Sequence, residues 1–342
     1  MLSFLSSLFV PDTSNPEGVD KALIERATER AVEGTDPRLR ALGNYRKQLR
    51  EPVELAVRHV MELVDGLPEA VPLSREGYST DPRLRAFFAS NDHLQEVLGG
   101  FRTISDYLQG LSGLPPHEIF GLLTLEWKER NILGMERQGD RVRRDVQQVS
   151  VNFFNHRFVC PADNEAETSL ELKKRAFDYL LKLALEKILA TRGKHQELKR
   201  EQQLLDKKLA AMKAGGWGLE TMLSPGEEPA QDPGRLTAKI DAVESELLAL
   251  GAASGGLERN LEQLAEVLAQ PAHWLHRDEV SLHLNAMGIK SDASPGGPVN
   301  DLQLIGLFSA SGERRIVLPV RLLRSELPER PDFFKQASRY LG

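Results

Sequence analysis

The chain has 342 residues, 41% of them hydrophobic, with 44 Lys and Arg against 50 Asp and Glu, a formal net charge of −6, and a single cysteine, Cys160. That size permits a sizeable core; the negative balance disfavours generic attraction to phosphate backbones; and one cysteine excludes an intrachain disulfide. Together with the lack of a secretory signal, this leads us to expect a reducing, cytoplasmic setting.

Residues 1–18 read as an apolar segment and linker. Leu2, Leu5 and Phe9, with Phe4 and Leu8 beside them, make a greasy stripe about half the length a bilayer span requires. Without cationic residues on its polar face, such a stripe suits docking on the chain itself or on a partner better than on a membrane surface. The prolines and turn formers of 11–18 follow as a linker.

Residues 19–115 are expected to form a helical lobe. Helical periodicity covers Val19 to Glu33 and Asp36 to Leu49. Pro52 is expected to open a further helix carrying Val53, Val57, Val60 and Val64 on one face, and another helical stretch spans about 81 to 110. Within this lobe the heptapeptide TDPRLRA occurs twice, at Thr35 to Ala41 and at Thr80 to Ala86. Asp36 and Asp81 are placed to cap a helix, Pro37 and Pro82 to occupy its first position, and Leu39 and Leu84 to point inward. The sharper alternative is that Arg38, Arg40, Arg83 and Arg85 form two equivalent anion-binding spots.

Residues 116–166 change to period two. Leu123, Leu125 and Trp127 alternate with polar neighbours, as do Val149, Val151 and Phe153. Asn155-His156 is expected to turn the chain and Gln147-Gln148 to form a bulge. Arg137, Arg141, Arg143 and Arg144, mixed with acidic residues, read as a solvated face.

Residues 167–274 carry two leucine-rich heptad runs, 177 to 212 and 236 to 268. Alternating steps of four and three keep one seam of a helix on a partner, so the runs are expected to form an antiparallel coiled coil whose paired residue numbers sum to about 448. The first run is basic and the second acidic, which favours their pairing with each other. Gly193 would then face Gly255. With Gly251 and Gly256 nearby, both helices weaken at one height, which suggests a hinge. The alternative is that small residues simply let two backbones approach. The tip loop, 215–234, contains Trp217, Leu219, Met222 and Leu223, expected to dock a partner or cap the coiled coil's own end.

From residue 275 strands resume: Val280, Leu282 and Leu284 alternate, and Leu302 to Phe308 with Arg314 to Leu322 flank a hairpin turn. Pro319 within the last strand predicts an edge or a bulge. A short helix is expected around 333 to 341. Strands on both sides of the heptad runs make the expected fold α+β: an N-terminal helical lobe and a composite antiparallel sheet, with a long antiparallel coiled-coil hairpin inserted between the sheet's two halves.

The sequence contains no Walker loop, dinucleotide fingerprint, nucleophile elbow or HExxH pattern. Cys160 reads as a buried structural residue, and His273, His276 and His283 lie on different elements, so no metal or cofactor is expected. A non-catalytic interaction or scaffold subunit, binding a protein partner or itself, is the leading expectation. A nucleic-acid-associated protein using the basic heptad helix and the TDPRLRA corners is the alternative.

Overall fold

A computed structural model describes residues 20–138, 141–213, 233–249, 256–285, 287–290 and 300–328. The fold is α+β. Two compact units divide it, and each draws on two stretches of chain: 58–176 with 271–328 in one, and 20–57 with 177–270 in the other.

The helical unit contains α1 (Lys21–Thr35), a 3₁₀ turn (Pro37–Ala41), the first part of α2 (Tyr45–Asp65), and α7 (Glu165–Lys213) from residue 177. It also contains α8 (Pro233–Ala249) and α9 (Gly256–Ala269). The apolar faces of α1, α7 and α9 are buried through Ala27, Ala31, Phe177, Leu181, Ile188, Leu261, Leu264 and Leu268. Arg30 ties α1 to α7 through a two-pronged contact with Asp178, at 2.9 and 2.8 Å. Helix α2 begins at Tyr45 and runs through Pro52, not from it. The ring removes the hydrogen bond to the Gln48 carbonyl, but Gln48 is exposed, so water can take the vacated position.

The sheet unit holds β1 (Val71–Pro72) and four short helices, α3 (Arg75–Thr80), α4 (Pro82–Phe87), α5 (Asn91–Gly100) and α6 (Arg102–Gly110). The long strands β2 (Glu118–Gln138) and β3 (Arg141–Ala162) precede α7; α10 (Pro271–Trp274), β4 (Leu275–Leu284), β5 (Asn300–Ser309) and β6 (Arg314–Leu323) follow α9. The sheet order is β3-β2-β6-β5-β4, antiparallel throughout, with β1 added parallel to β6. The strands before and after the inserted helices therefore belong to one sheet, joined where Leu125 of β2 pairs with Ile316 of β6. Phe87, Leu94, Leu98 and Ile104 of the short helices pack on Ile119, Leu123, Leu304, Ile316 and Leu318 of one sheet face.

Three expectations about the strands are corrected. Asn155-His156 is not a turn: β3 passes straight through it, and the ribbon of β2 with β3 is far longer than alternation alone implies. The bulge is not at Gln147-Gln148, which pair regularly with Leu133 and Ile132. Instead the register slips at three other points, each opposite a β3 residue with left-handed φ: Asp145 (59°), Asn155 (55°) and Cys160 (55°). At each point β3 contributes three residues against two on β2, the signature of a bulge that bends and twists the ribbon. Asn and Asp tolerate this conformation because their short polar side chains can bond locally, so a turn signal in the sequence becomes a bulge within a strand. Finally, Pro319 lies on an interior strand. On one side β6 pairs with β5 only from Arg314 to Val317 and with β1 only from Val320, so Leu318 and Pro319 fall in the gap between those two neighbours. A missing N–H is tolerated there.

The tip loop with Trp217, Leu219, Met222 and Leu223, the glycines Gly251 and Gly255, residues 1–18 and the helix expected near 333 to 341 lie outside the described residues.

Candidate functional site

The two TDPRLRA copies build the same corner. Thr35 donates its hydroxyl to the carbonyl of Ala31 (2.6 Å) and Thr80 to that of Glu76 (3.1 Å), in each case at the last residue of a helix. The following Asp accepts from a backbone N–H two residues on, Arg38 at 3.2 Å and Arg83 at 2.8 Å, with Pro at the next helical start. Leu39 and Leu84 are fully buried. One string thus stops one helix and starts the next, which explains why it recurs.

The arginines are mostly committed. Arg38 folds back onto Asp36 (3.0 Å) and Arg83 onto Asp81 (2.7 Å), while Arg40 reaches Glu29 (3.3 Å) and Glu33 (2.8 Å). Arg85 is exposed and has no ion-pair partner among the described residues. Of the four arginines expected to make two equivalent anion-binding spots, three thus already have their charge met by a carboxylate.

The copies differ in what else their Asp holds. Asp36 is 5% exposed and accepts further bonds from Arg192 of α7 and from Asn260 of α9, the latter at 3.0 Å. Burial alone would raise its pKa, but the hydrogen bonds from Arg38 and Arg192 and the Arg38 N–H outweigh that and hold it below the ordinary carboxylate value. Next to this junction Gln263 donates to Thr191 Oγ (2.7 Å). Asp81 instead borders an open cleft of about 580 Å³ lined by Pro68, Val71 and Gly77. Pro68 and Arg83 also line a neighbouring hollow of about 350 Å³ floored by Leu304, Val317 and Phe87, with Glu279 at its edge. Both hollows lie within the sheet unit.

Between α7 and α8 a separate apolar cluster forms from Leu198, Leu205, Leu236, Ile240, Val243 and Leu247, all on the heptad seam read from the sequence. Polar contacts flank it with the expected division of sign: Gln202 with Glu244 (2.8 Å) and Lys194 with Glu246 (2.6 Å). Lys187 meets Glu266 of α9 at 2.7 Å. The pairing is antiparallel, but α8 and α9 do not share one register with α7. Lys194 meets Glu246 while Thr191 meets Gln263, so three residues along α7 correspond to seventeen on the returning chain. A single pairing constant of about 448 therefore does not describe the whole length. Helix α7 runs unbroken through Gly193, where an added Cβ would meet nothing within 4 Å, so close approach of backbones does not require glycine there. Gly256 opens α9.

The described cysteine and several histidines of the sheet unit stand in separate settings. Cys160 is buried, and burial pushes its thiol up to about 12. His156 Nε2 donates to the Phe87 carbonyl (2.9 Å) and its ring stacks on Phe88, with His93 edge-on at 5.9 Å. His276 approaches Asp278 and His283 approaches Asp301 as separate exposed pairs. Among the described residues no group of three or more His, Cys, Asp or Glu is arranged to hold a metal, and no helix is long and apolar enough to cross a membrane.

Comparison with protein-family models, with curated proteins and with solved structures finds no match for this chain.

Proposed function

We propose that the protein is a non-catalytic interaction subunit that works in a reducing, cytoplasmic compartment and engages a protein partner through a coiled coil of α7 and α8. The observation that carries this reading is the isolated seam of Leu198, Leu205, Leu236, Ile240, Val243 and Leu247, which is separate from the sheet's core. A seam of this kind stabilises a long helical pair without being needed by the sheet core, and long helical pairs of this sort commonly present surfaces to other chains. Leu204 and Leu248 remain exposed on these same helices. In this reading Trp217, Leu219, Met222 and Leu223 anchor the partner, aromatic and Met side chains being frequent anchors.

The carboxylates that already hold Arg38, Arg40 and Arg83 speak against the nucleic-acid alternative. The experiment is affinity purification of the full chain beside Trp217→Ala with Leu223→Ala, and beside a seam variant, Leu205→Asp. A stoichiometric partner retained by the parent and lost by both variants supports the reading. Retention by both, or tight salt-sensitive binding of DNA or RNA, would reverse it.

A further inference from the structure

Two histidines clasp the link between α4 and α5. Ser90 caps α5 by accepting from the His93 N–H (3.1 Å), and His93 reaches back to accept the Ala89 N–H at Nδ1 (3.1 Å). This is the reciprocal arrangement of a capping box, in which the third helical residue is ordinarily Glu or Gln. From the other side His156 of β3 donates its Nε2 proton to the Phe87 carbonyl (2.9 Å). The C=O of Phe87 and the N–H of Ala89 are thus each held by an imidazole. Phe88 between them is fully buried, stacked on His156 at 4.8 Å with His93 edge-on at 6.0 Å.

The bulge at Asn155 makes this clasp possible. Phe153 meets Phe87 at 5.0 Å and Phe158 meets Phe101 at 5.9 Å, so both point at the short helices. In unbroken alternation His156 would point away from the face that carries Phe153. The extra residue resets the phase and brings the imidazole against Phe88.

Both contacts depend on the proton content of the rings. An imidazole nitrogen accepts only while it is unprotonated, so a proton on His93 Nδ1 would set one N–H against the N–H of Ala89. His156 already uses Nε2 as its donor; a second proton would put a charge on a half-buried ring 5.9 Å from that of His93. Burial holds its pKa below the ordinary value against the opposing bond to Phe87, and His93 adds to the effect of burial. Carboxylates of the surrounding elements offer little to offset this. Glu126 of β2 is held by Asn155 and Arg315, and Asp81 by Arg83 of α4. Asp92 and Glu96 of α5 are exposed, as are the cations Arg85 and Arg157.

We propose that this clasp is an acid-sensitive latch: protonation of the histidine pair releases residues 87–93, freeing the start of α5 from the sheet and uncovering Phe88. Histidine as the returning member of the box gives α5 a start that holds at neutrality and fails in mild acid, a range in which Gln would not change. Phe87 also lines the hollow beside Arg83, so release of the link reshapes that hollow.

Hydrogen exchange of the full-length protein, read by mass spectrometry and corrected for the intrinsic pH dependence of amide exchange, tests the latch. Between about pH 7.5 and about pH 5, protection across 87–98 is expected to fall about tenfold or more, while the ladder of β2 with β6 keeps its protection. His93→Gln retains an acceptor for Ala89 and His156→Gln a donor for Phe87, and neither titrates. The double variant is therefore expected to hold its protection constant over the same range. His93→Ala lacks the acceptor at every pH and is expected to show the low, acid-like protection already at neutrality. Circular dichroism confirms that each variant is folded, and the parent protein by itself decides whether the loss is local. Protection of 87–98 that does not change with pH, a loss shared equally by the β2–β6 ladder, or a pH response undiminished in the double Gln variant overturns the proposal.

Discussion

Asn260 donates its side-chain amide to Asp36 across 3.0 Å, joining residues 224 positions apart in the sequence, both almost wholly buried. The same carboxylate caps the 3₁₀ turn and accepts from Arg192. Its counterpart in the second TDPRLRA copy, Asp81, caps a helix and holds Arg83 but has no comparable long-range bond among the described residues. Asp36→Ala is therefore expected to cost about 3 kcal/mol, combining a lost cap with buried donors left unpaired, and Asp81→Ala about 1 kcal/mol. Urea unfolding of the two variants measures the difference, and equal losses would show that the junction adds nothing to the cap.

His156 predicts acid sensitivity near neutrality. Burial lowers its pKa below 6.5, the charge on His93 pushes the same way, and the Phe87 carbonyl opposes both. The folded state thus binds this proton less readily than the unfolded chain does. Its contribution is fully present above pH 6.5 and is lost as the pH falls below that value toward the folded pKa. His156→Gln, which keeps a donor for Phe87, is expected to flatten the stability profile between neutrality and about pH 5. An unchanged slope in chemical denaturation would assign the sensitivity elsewhere.

Much of the helical unit is legible in leucine spacing because a seam repeats at 3.5 residues whatever its partner. The buried positions Leu198, Leu205, Leu236, Ile240, Val243 and Leu247 all fall on that spacing. The junction at Asp36 is not legible in the same way. Asn260 and Gln263 are polar residues beside seam leucines, and only the folded chain shows that they are buried and what they bond. Among the strands, alternation locates β4, β5 and β6, but it stops informing where a bulge resets the phase. Asn155 therefore reads as a turn, because the αL conformation it adopts is common to turns and bulges. Pro319 misleads for a related reason: its tolerance depends on which neighbour strand ends beside it, a tertiary fact with no local signal.

Gly193 offers a direct test of the mid-helix weakness. With nothing within 4 Å of the point where a Cβ would stand, and helix on both sides, Gly193→Ala is expected to stabilise by about 0.5–1 kcal/mol and to slow amide exchange around Thr191 to His195. Mass-spectrometric hydrogen exchange reads both the site and the magnitude. Destabilisation would mean that glycine's conformational freedom is used there.

Cys160 gives a further test. Its burial and elevated pKa predict that Ellman's reagent leaves it unmodified in the native protein at about pH 8 and labels it fully once urea unfolds the chain. Rapid labelling under native conditions would mean that β3 opens at its end.

The pairing of β2 with β6 has a consequence for synthesis. Glu118 and Arg321, bonded across that ladder, stand 203 residues apart. A nascent chain emerging from the ribosome therefore completes the β2–β3 ribbon long before the strand that closes its inner edge exists, and must make α7, α8, α9, β4 and β5 in the interval. Long-range closure of this kind slows folding and leaves sticky intermediates. Refolding from denaturant is accordingly expected to be slow, and to benefit from chaperones that shield bare strands.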